Sequence, residues 1–447
     1  MKKSLLAVAA IGAFASSAQA QSSVTVYGIL DVGFIGGNTT ASKSSNPTVS
    51  GAPGTVKATG NQFGQSAEST SRLGFKGNED LGNGMSAVFT AEFALAPADA
   101  TLSGNPGTTT TGTSNLGLQN RQTFVGLKKN GVGTAAIGTQ YTPIHNAVAA
   151  TDPGQANNIA GNVVYAASSG PAKPSSTTAQ GDTVGYTVRQ SNSLTLASDT
   201  LAGFQVNGML VWNNKNSTEY APIGAAATAA TLAGTTGYAG GTANTNGWGL
   251  GVNYTWQKLY LTANYQALKQ VTTGMTAGEG QIFNAAGPGL VAVVPNGAGV
   301  AATTAGNALI TSTAVGAGIQ DNQAYIAGTY DFGILKAYAQ WLNRKATSTV
   351  DTGYYAKRSA EQIGVRSFIT PAVEAWASAG LGRVTAFGVN QPTANFNAWQ
   401  LGSNYYLSKR TNLYAIYGAT TTSNYAVSGV TASNSAQNYA IGVRHTF

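Results

Sequence analysis

The 447-residue sequence has no cysteine, which excludes disulfide scaffolds, thiolate metal centres and thiol catalysis. Its two histidines, His145 and His445, have no ligand or acid partner at a spacing that would make a metal site or a nucleophilic triad. Neither an enzyme nor a bound cofactor is therefore expected. Only 9 % of residues are charged, against about a quarter in ordinary soluble proteins, so a conventional soluble surface is hard to build. No apolar run approaches the roughly 20 residues of a membrane helix. The formal net charge of +8 is spread along the chain rather than clustered, which argues against nucleic-acid binding. Two classes survive these absences. One is a secreted polar β-protein. The other is a transmembrane β-barrel, whose lipid face is diluted by a polar lumen face.

What is present narrows the choice. "MKKSLLAVAAIGAFASSAQA" joins two lysines, a short apolar run and Ala18-Gln19-Ala20, the pattern of a Sec signal peptide cleaved after Ala20. Residues 21–447 then read as one domain. Segments of period two recur to the last residue. In "GWGLGVNYTW", Trp248, Leu250, Val252, Tyr254 and Trp256 share one face; Gly249, Gly251, Asn253 and Thr255 share the other. "VTVYGILDVGF" near the start and "NYAIGVRHTF" at the end alternate likewise. Tight connections at 77–84, 128–133, 198–204, 257–258, 331–334, 370–374 and 408–412 fall between longer Gly/Ser/Thr/Asn-rich stretches. Those stretches lie at roughly 36–66, 96–116, 143–181, 213–246, 270–321, 346–358, 388–397 and 423–436. Short periplasmic turns and long extracellular loops are the asymmetry of an outer-membrane barrel. The spacing predicts an all-β fold, a transmembrane antiparallel β-barrel of about 16 strands near 10 residues each. Trp212, Trp248, Trp256, Tyr330, Phe332, Trp341, Trp399, Tyr405 and Tyr406 sit near strand ends, as in the aromatic girdles of such barrels.

Several stretches resemble the general porins of Gram-negative bacteria, in particular their betaproteobacterial branch. "SVTVYGILDVGF", "SRLGFKGNEDLGNGMSAVFTAEF", "NRQTFVGLKKNGVGTAAIGTQYTP", "LSKRTNLYAIYG" and the final "GVRHTF" carry the likeness in chain order. The resemblance implies a diffusion pore for small hydrophilic solutes, a homotrimer, and a third loop, here 143–181, folded into the barrel. It also implies that Arg121 is a pore residue and that Phe447 is the mark read by the outer-membrane insertion machinery. One departure is "GTQYTP": Thr139 stands where the family commonly has a pore arginine.

Alternation assigns the wall charges. Arg72 and Lys76 oppose Leu73 and Phe75, so they face the lumen. If Val184, Tyr186, Val188, Leu194 and Leu196 point outward, Arg189 points inward; Ile363 and Val365 turn Arg366 inward in the same way. Glu92 and Asp31 are the inward acids of the wall, and Asp152 is the acid of the third loop. Arg121 shares parity with Val125 and Leu127, which points it outward unless a bulge intervenes. Inward bases outnumber inward acids, which predicts an anion preference. The expected partners are solutes, anions, membrane lipid and two further copies of the chain. A substrate-specific channel and a structural barrel with binding loops are the alternatives.

Overall fold

In lipid a strand must pair on both edges, because each unpaired backbone group costs several kcal/mol there. The chain meets this requirement by closing on itself. The computed structural model describes residues 23–43, 54–98, 119–166, 169–170, 173–174, 185–217, 241–273, 317–349, 352–353, 355–387, 393–427 and 430–447. The expected signal peptide, residues 1–20, lies outside them, as do residues 21 and 22. The strands are β1 (Ser23–Lys43), β2 (Gly54–Gln65), β3 (Arg72–Gly82), β4 (Met85–Ala94), β5 (Gln119–Lys129) and β6 (Gly133–Tyr141). A helix α1 (Pro143–Thr151) and a minimal ribbon of β7 (Ser169–Gly170) and β8 (Lys173–Pro174) follow. Next come β9 (Arg189–Ser198), β10 (Phe204–Ser217), β11 (Gly241–Trp256), β12 (Leu259–Thr273), β13 (Ala317–Asp331) and β14 (Lys336–Ser348). The last five are β15 (Tyr355–Thr370), β16 (Val373–Phe387), β17 (Thr393–Tyr406), β18 (Thr411–Val427) and β19 (Val430–Thr446).

Apart from the ribbon, every strand pairs antiparallel with its neighbours, and β19 returns to β1 with Leu30 opposite His445 and Val32 opposite Val443. Both β2 and β3 pair with β1, one above the other. They form one stave, so the ring is a closed barrel of sixteen staves. The usual burial rule is inverted. Val125, Ile137 and Ile363 are more than 60 % exposed on the outside, while Gln266, Gln323, Gln362 and Gln400 are buried within. All seven tight connections join adjacent strands at one rim. The strands run longer than the predicted ten residues, up to 21 in β1. Much of 36–66 and 423–436, expected as loop, is therefore strand. Tyr406 donates to Glu374 from the inner side rather than joining the outer girdle.

One stave is broken. Between β2 and β3, residues 66–71 leave the wall and turn inward, with Ser66 at φ 62°. Asp31 on β1 holds this inlet, accepting from the backbone N–H groups of Glu68 (2.9 Å) and Ser69 (2.6 Å) and from the Tyr414 hydroxyl (2.6 Å).

The loop after β6 crosses the lumen and lies on the opposite wall. Two apolar clusters hold it. Ile144, Val148, Val163, Tyr186 and Val188 pack on Tyr325 and Leu342; Ile159 packs with Ala67, Trp376 and Ile416. Polar latches complete the attachment. Gln340 donates to Thr151 O, Arg358 to Val163 O, and Gln400 to Ile159 O (3.2 Å) and Ala160 O (3.1 Å). The wall carries glycine at the closest approach: a Cβ on Gly418 would stand 1.8 Å from Ala160 O. The tip also reaches the inlet, where Asn158 donates to Ala67 O (2.9 Å) and Ser66 O (2.7 Å). Tyr186 and Val188 thus belong to the returning arm of this loop, buried against α1, and are not the outward strand residues expected from their parity. Val184 lies outside the described residues.

Candidate functional site

Three arginines converge on the wall that the third loop leaves open. Arg72 sits at the first position of β3, Arg121 near the start of β5, and Arg189 at the first position of β9. Arg121 reaches the lumen through a bulge. Gln122 pairs with Glu92 and Asn120 with Phe93, so Arg121 is the extra residue between them. It is 6 % exposed, with Nε 2.7 Å from Glu92 Oε1 and Nη2 donating to the Tyr141 hydroxyl at 2.7 Å. Glu92 also lies 3.8 Å from Arg72 and accepts from the Tyr27 hydroxyl. Arg72 is oriented by the inlet, donating to Thr70 O (2.9 Å) and Ser69 Oγ (3.3 Å). The Arg189 guanidinium stands 5.4 Å from the centre of the Tyr141 ring. One carboxylate among three guanidiniums leaves a net positive wall.

Among its described residues the loop turns no negative charge toward this wall. His145, on α1, packs its ring 4.3 Å from that of Tyr141, and its Nδ1 is 3.2 Å from the Tyr186 hydroxyl. Burial, reinforced by Arg189, Arg121 and Arg72, holds His145 well below the usual imidazole range, so it is neutral. Asp152 is turned away from the arginines. It accepts from Ala156 N–H (2.7 Å), Asn162 (2.7 Å) and Gln362 (2.9 Å), bracing the loop against β15. Burial raises its carboxyl above the usual range, although these donors and Arg366 pull the other way.

The other expected residues divide by role. Lys76 is exposed in the lumen on the turn side of the arginines, 5.4 Å over the Tyr27 ring. Arg366 faces inward but is engaged bidentately by Glu374 and donates to Pro153 O at 2.6 Å, so it fastens the loop. Asp31 is spent on the inlet. Thr139 pairs with Thr123 on the face that carries Ile137 and Val125, so its position adds nothing to the lumen wall here. Sequence reasoning missed the inlet and Glu68, which is 3.0 Å from Asn412 and 3.5 Å from Arg444. The stretch "AEST" has neither alternation nor a turn signature to mark it.

The closed barrel fold and the sequence are both matched by known proteins. The profile of the Gram-negative porin family covers residues 7–333. The chain belongs to that family. Like other porins it has curated relatives: an outer membrane porin protein of Bordetella pertussis is 35 % identical over 164 residues, 35 % of this chain and 39 % of that one. A major outer membrane protein P.IB of Neisseria gonorrhoeae is 34 % identical over 166 residues, 37 % of this chain and 39 % of that one. The matched stretch thus spans about two fifths of these relatives' length. In fold, this porin is similar to the anion-selective porin from Comamonas acidovorans, at TM-score 0.55 and 20 % identity over 95 % of this chain and all of that one. It is similar also to the in-vitro folded OmpT of Vibrio cholerae in its trimer form, at TM-score 0.53 and 14 % identity over 95 % of this chain and 99 % of that one.

Proposed function

We propose that this porin is an outer-membrane pore for passive diffusion of small hydrophilic solutes and ions, with a preference for anions. The observation that carries the reading is the wall of Arg72, Arg121 and Arg189 with the single carboxylate of Glu92, facing a loop whose one acid among the described residues, Asp152, is buried elsewhere. A narrow pore lined by fixed positive charge lowers the barrier to anions. Lys76 adds a solvated positive charge on the exit side; Arg366, Glu92, Asp152 and Asp31 hold the frame.

The same reading includes a signal peptide removed after Ala20, passage through the periplasm, insertion directed by the Phe447 end, and assembly into a homotrimer. The glycine and small-residue content of β1 to β3 supports the trimer. Single-channel recordings of refolded protein in a planar bilayer test the pore. Steps linear in voltage and salt are expected. Saturable conductance blocked by one solute would favour the substrate-specific alternative, and extraction without detergent would exclude the membrane setting altogether.

A further inference from the structure

Aromatic rings collect where the arginines stand. From Pro143 to Tyr165 the chain has one histidine and one tyrosine, His145 and Tyr165, and no other ring that could stack. The fold sets both beside Tyr141. The His145 ring lies 4.3 Å from that of Tyr141 and 6.2 Å from that of Tyr165. Tyr186 backs the row, 6.0 Å from His145 and 6.5 Å from Tyr165. Tyr186 is fully buried, whereas Tyr141, His145 and Tyr165 are half-buried. Tyr141 and Tyr165 rest one side on the apolar cluster that holds the loop. What the three rings leave uncovered lies inside the barrel, on the lumen.

The row carries no charge of its own. His145 is neutral, as described above. Burial raises the Tyr165 hydroxyl above the usual phenol range, with Arg189 and Arg121 pulling the other way. The arginines beside it keep capacity to bind. Arg121 gives Nε to Glu92 and Nη2 to the Tyr141 hydroxyl, and its Nη1 has no partner among the described residues. An uncharged aromatic strip therefore runs beside an unspent guanidinium N–H. Chloride gains nothing from the strip, and an aliphatic carboxylate gains contact area alone. An aromatic carboxylate gains in addition the offset or edge-to-face contact that rings prefer, a factor of about two to ten in an equilibrium.

We infer that, among the anions it passes, this pore favours monocyclic aromatic carboxylates. The carboxylate meets Arg121 Nη1 beside Arg189, and the ring passes along His145 and Tyr165. The inference rests on the anion preference proposed above and names the anion class. Recordings in potassium chloride read the sign of the selectivity. A comparison of two anions of equal charge reads the ring, so the two readings fail separately.

Benzoate and cyclohexanecarboxylate carry the same charge on six-membered rings and differ in aromaticity. Reversal potentials of refolded full-length porin in a planar bilayer, with the sodium salt of each opposed in turn to sodium chloride, give their relative permeabilities. Benzoate is expected to exceed cyclohexanecarboxylate about threefold or more. The flat ring is also the thinner one, and a purely steric preference would survive a change at Tyr165. Tyr165→Leu is therefore expected to reduce the ratio to less than half its wild-type value, and Tyr165→Phe to keep it. His145→Leu is expected to lower the ratio as well, and decides the matter where Tyr165→Leu does not fold. A wild-type ratio near one would overturn the inference. So would a ratio unchanged in both leucine variants, or one lost equally in Tyr165→Phe.

Discussion

At the scale of single residues, the decisive feature is how Arg121 comes to face the lumen. Alternation alone points it outward with Val125, and only the bulge opposite Glu92 turns it in. A period-two reading has no means of seeing one extra residue in a strand, whereas family likeness suggested the position without the mechanism. Arg72 needed neither, because its strand is regular. Arg72→Ala with Arg189→Ala is expected to move the reversal potential in a salt gradient toward cations; an unmoved potential would remove both from the ion path. His145 gives a pH expectation. Held neutral among the arginines, it adds no charge to the pore between about pH 5.5 and 7.5, where an ordinary imidazole near 6.5 would titrate. Wild type and His145→Gln should therefore show the same flat selectivity across that range in reversal-potential measurements. The unfolded chain takes up that proton as pH falls below about 6.5 and the folded chain does not, so His145 lowers stability on the acid side.

At the scale of elements, the third loop is the part that the sequence announced without tracing. Pro143 after Thr142 marks its start, since threonine caps α1 and accepts from His145 N–H. Its path depends on partners some two hundred residues away, Gln362, Gln400 and Arg358 among them. No local pattern encodes those. The inlet at 66–71 escaped for a related reason: its role lies in contacts to β1, β18 and the loop tip. Gly418→Val would drive a side chain into Ala160 O. It is expected to lift the loop and raise single-channel conductance, with little change in the yield of folded barrel. Glu374→Gln would leave the buried Arg366 unpaired, a change that costs about 3–5 kcal/mol when a buried pair is broken. The variant should unfold at a clearly lower temperature, read from heat-dependent migration on gels.

At the scale of the whole molecule, closure was readable from the two ends of the chain. The terminal strand alternates because it is the partner of β1, and Phe447 makes the last pair of backbone bonds with Gly28 (3.0 and 3.1 Å). Its ring occupies the space that a Cβ on Gly28 would fill. Deleting Phe447 is expected to lower the amount of protein recovered in the outer membrane without altering the conductance of what is inserted. The number of staves followed from the alternation of short and long connections, because each turn returns the chain to the same rim. Strand length did not follow: Gly- and Thr-rich segments read as loop continue the staves past the apolar band, where no lipid face is needed to mark them. The central claim is that the arginine wall, unopposed by any acid among the described residues of the loop, gives the pore its sign. The zero-current potential of the refolded protein across a KCl gradient tests it most directly. The account predicts a reversal on the chloride side, diminished when Arg72 and Arg189 are replaced by alanine; a reversal on the potassium side in the wild type would contradict it.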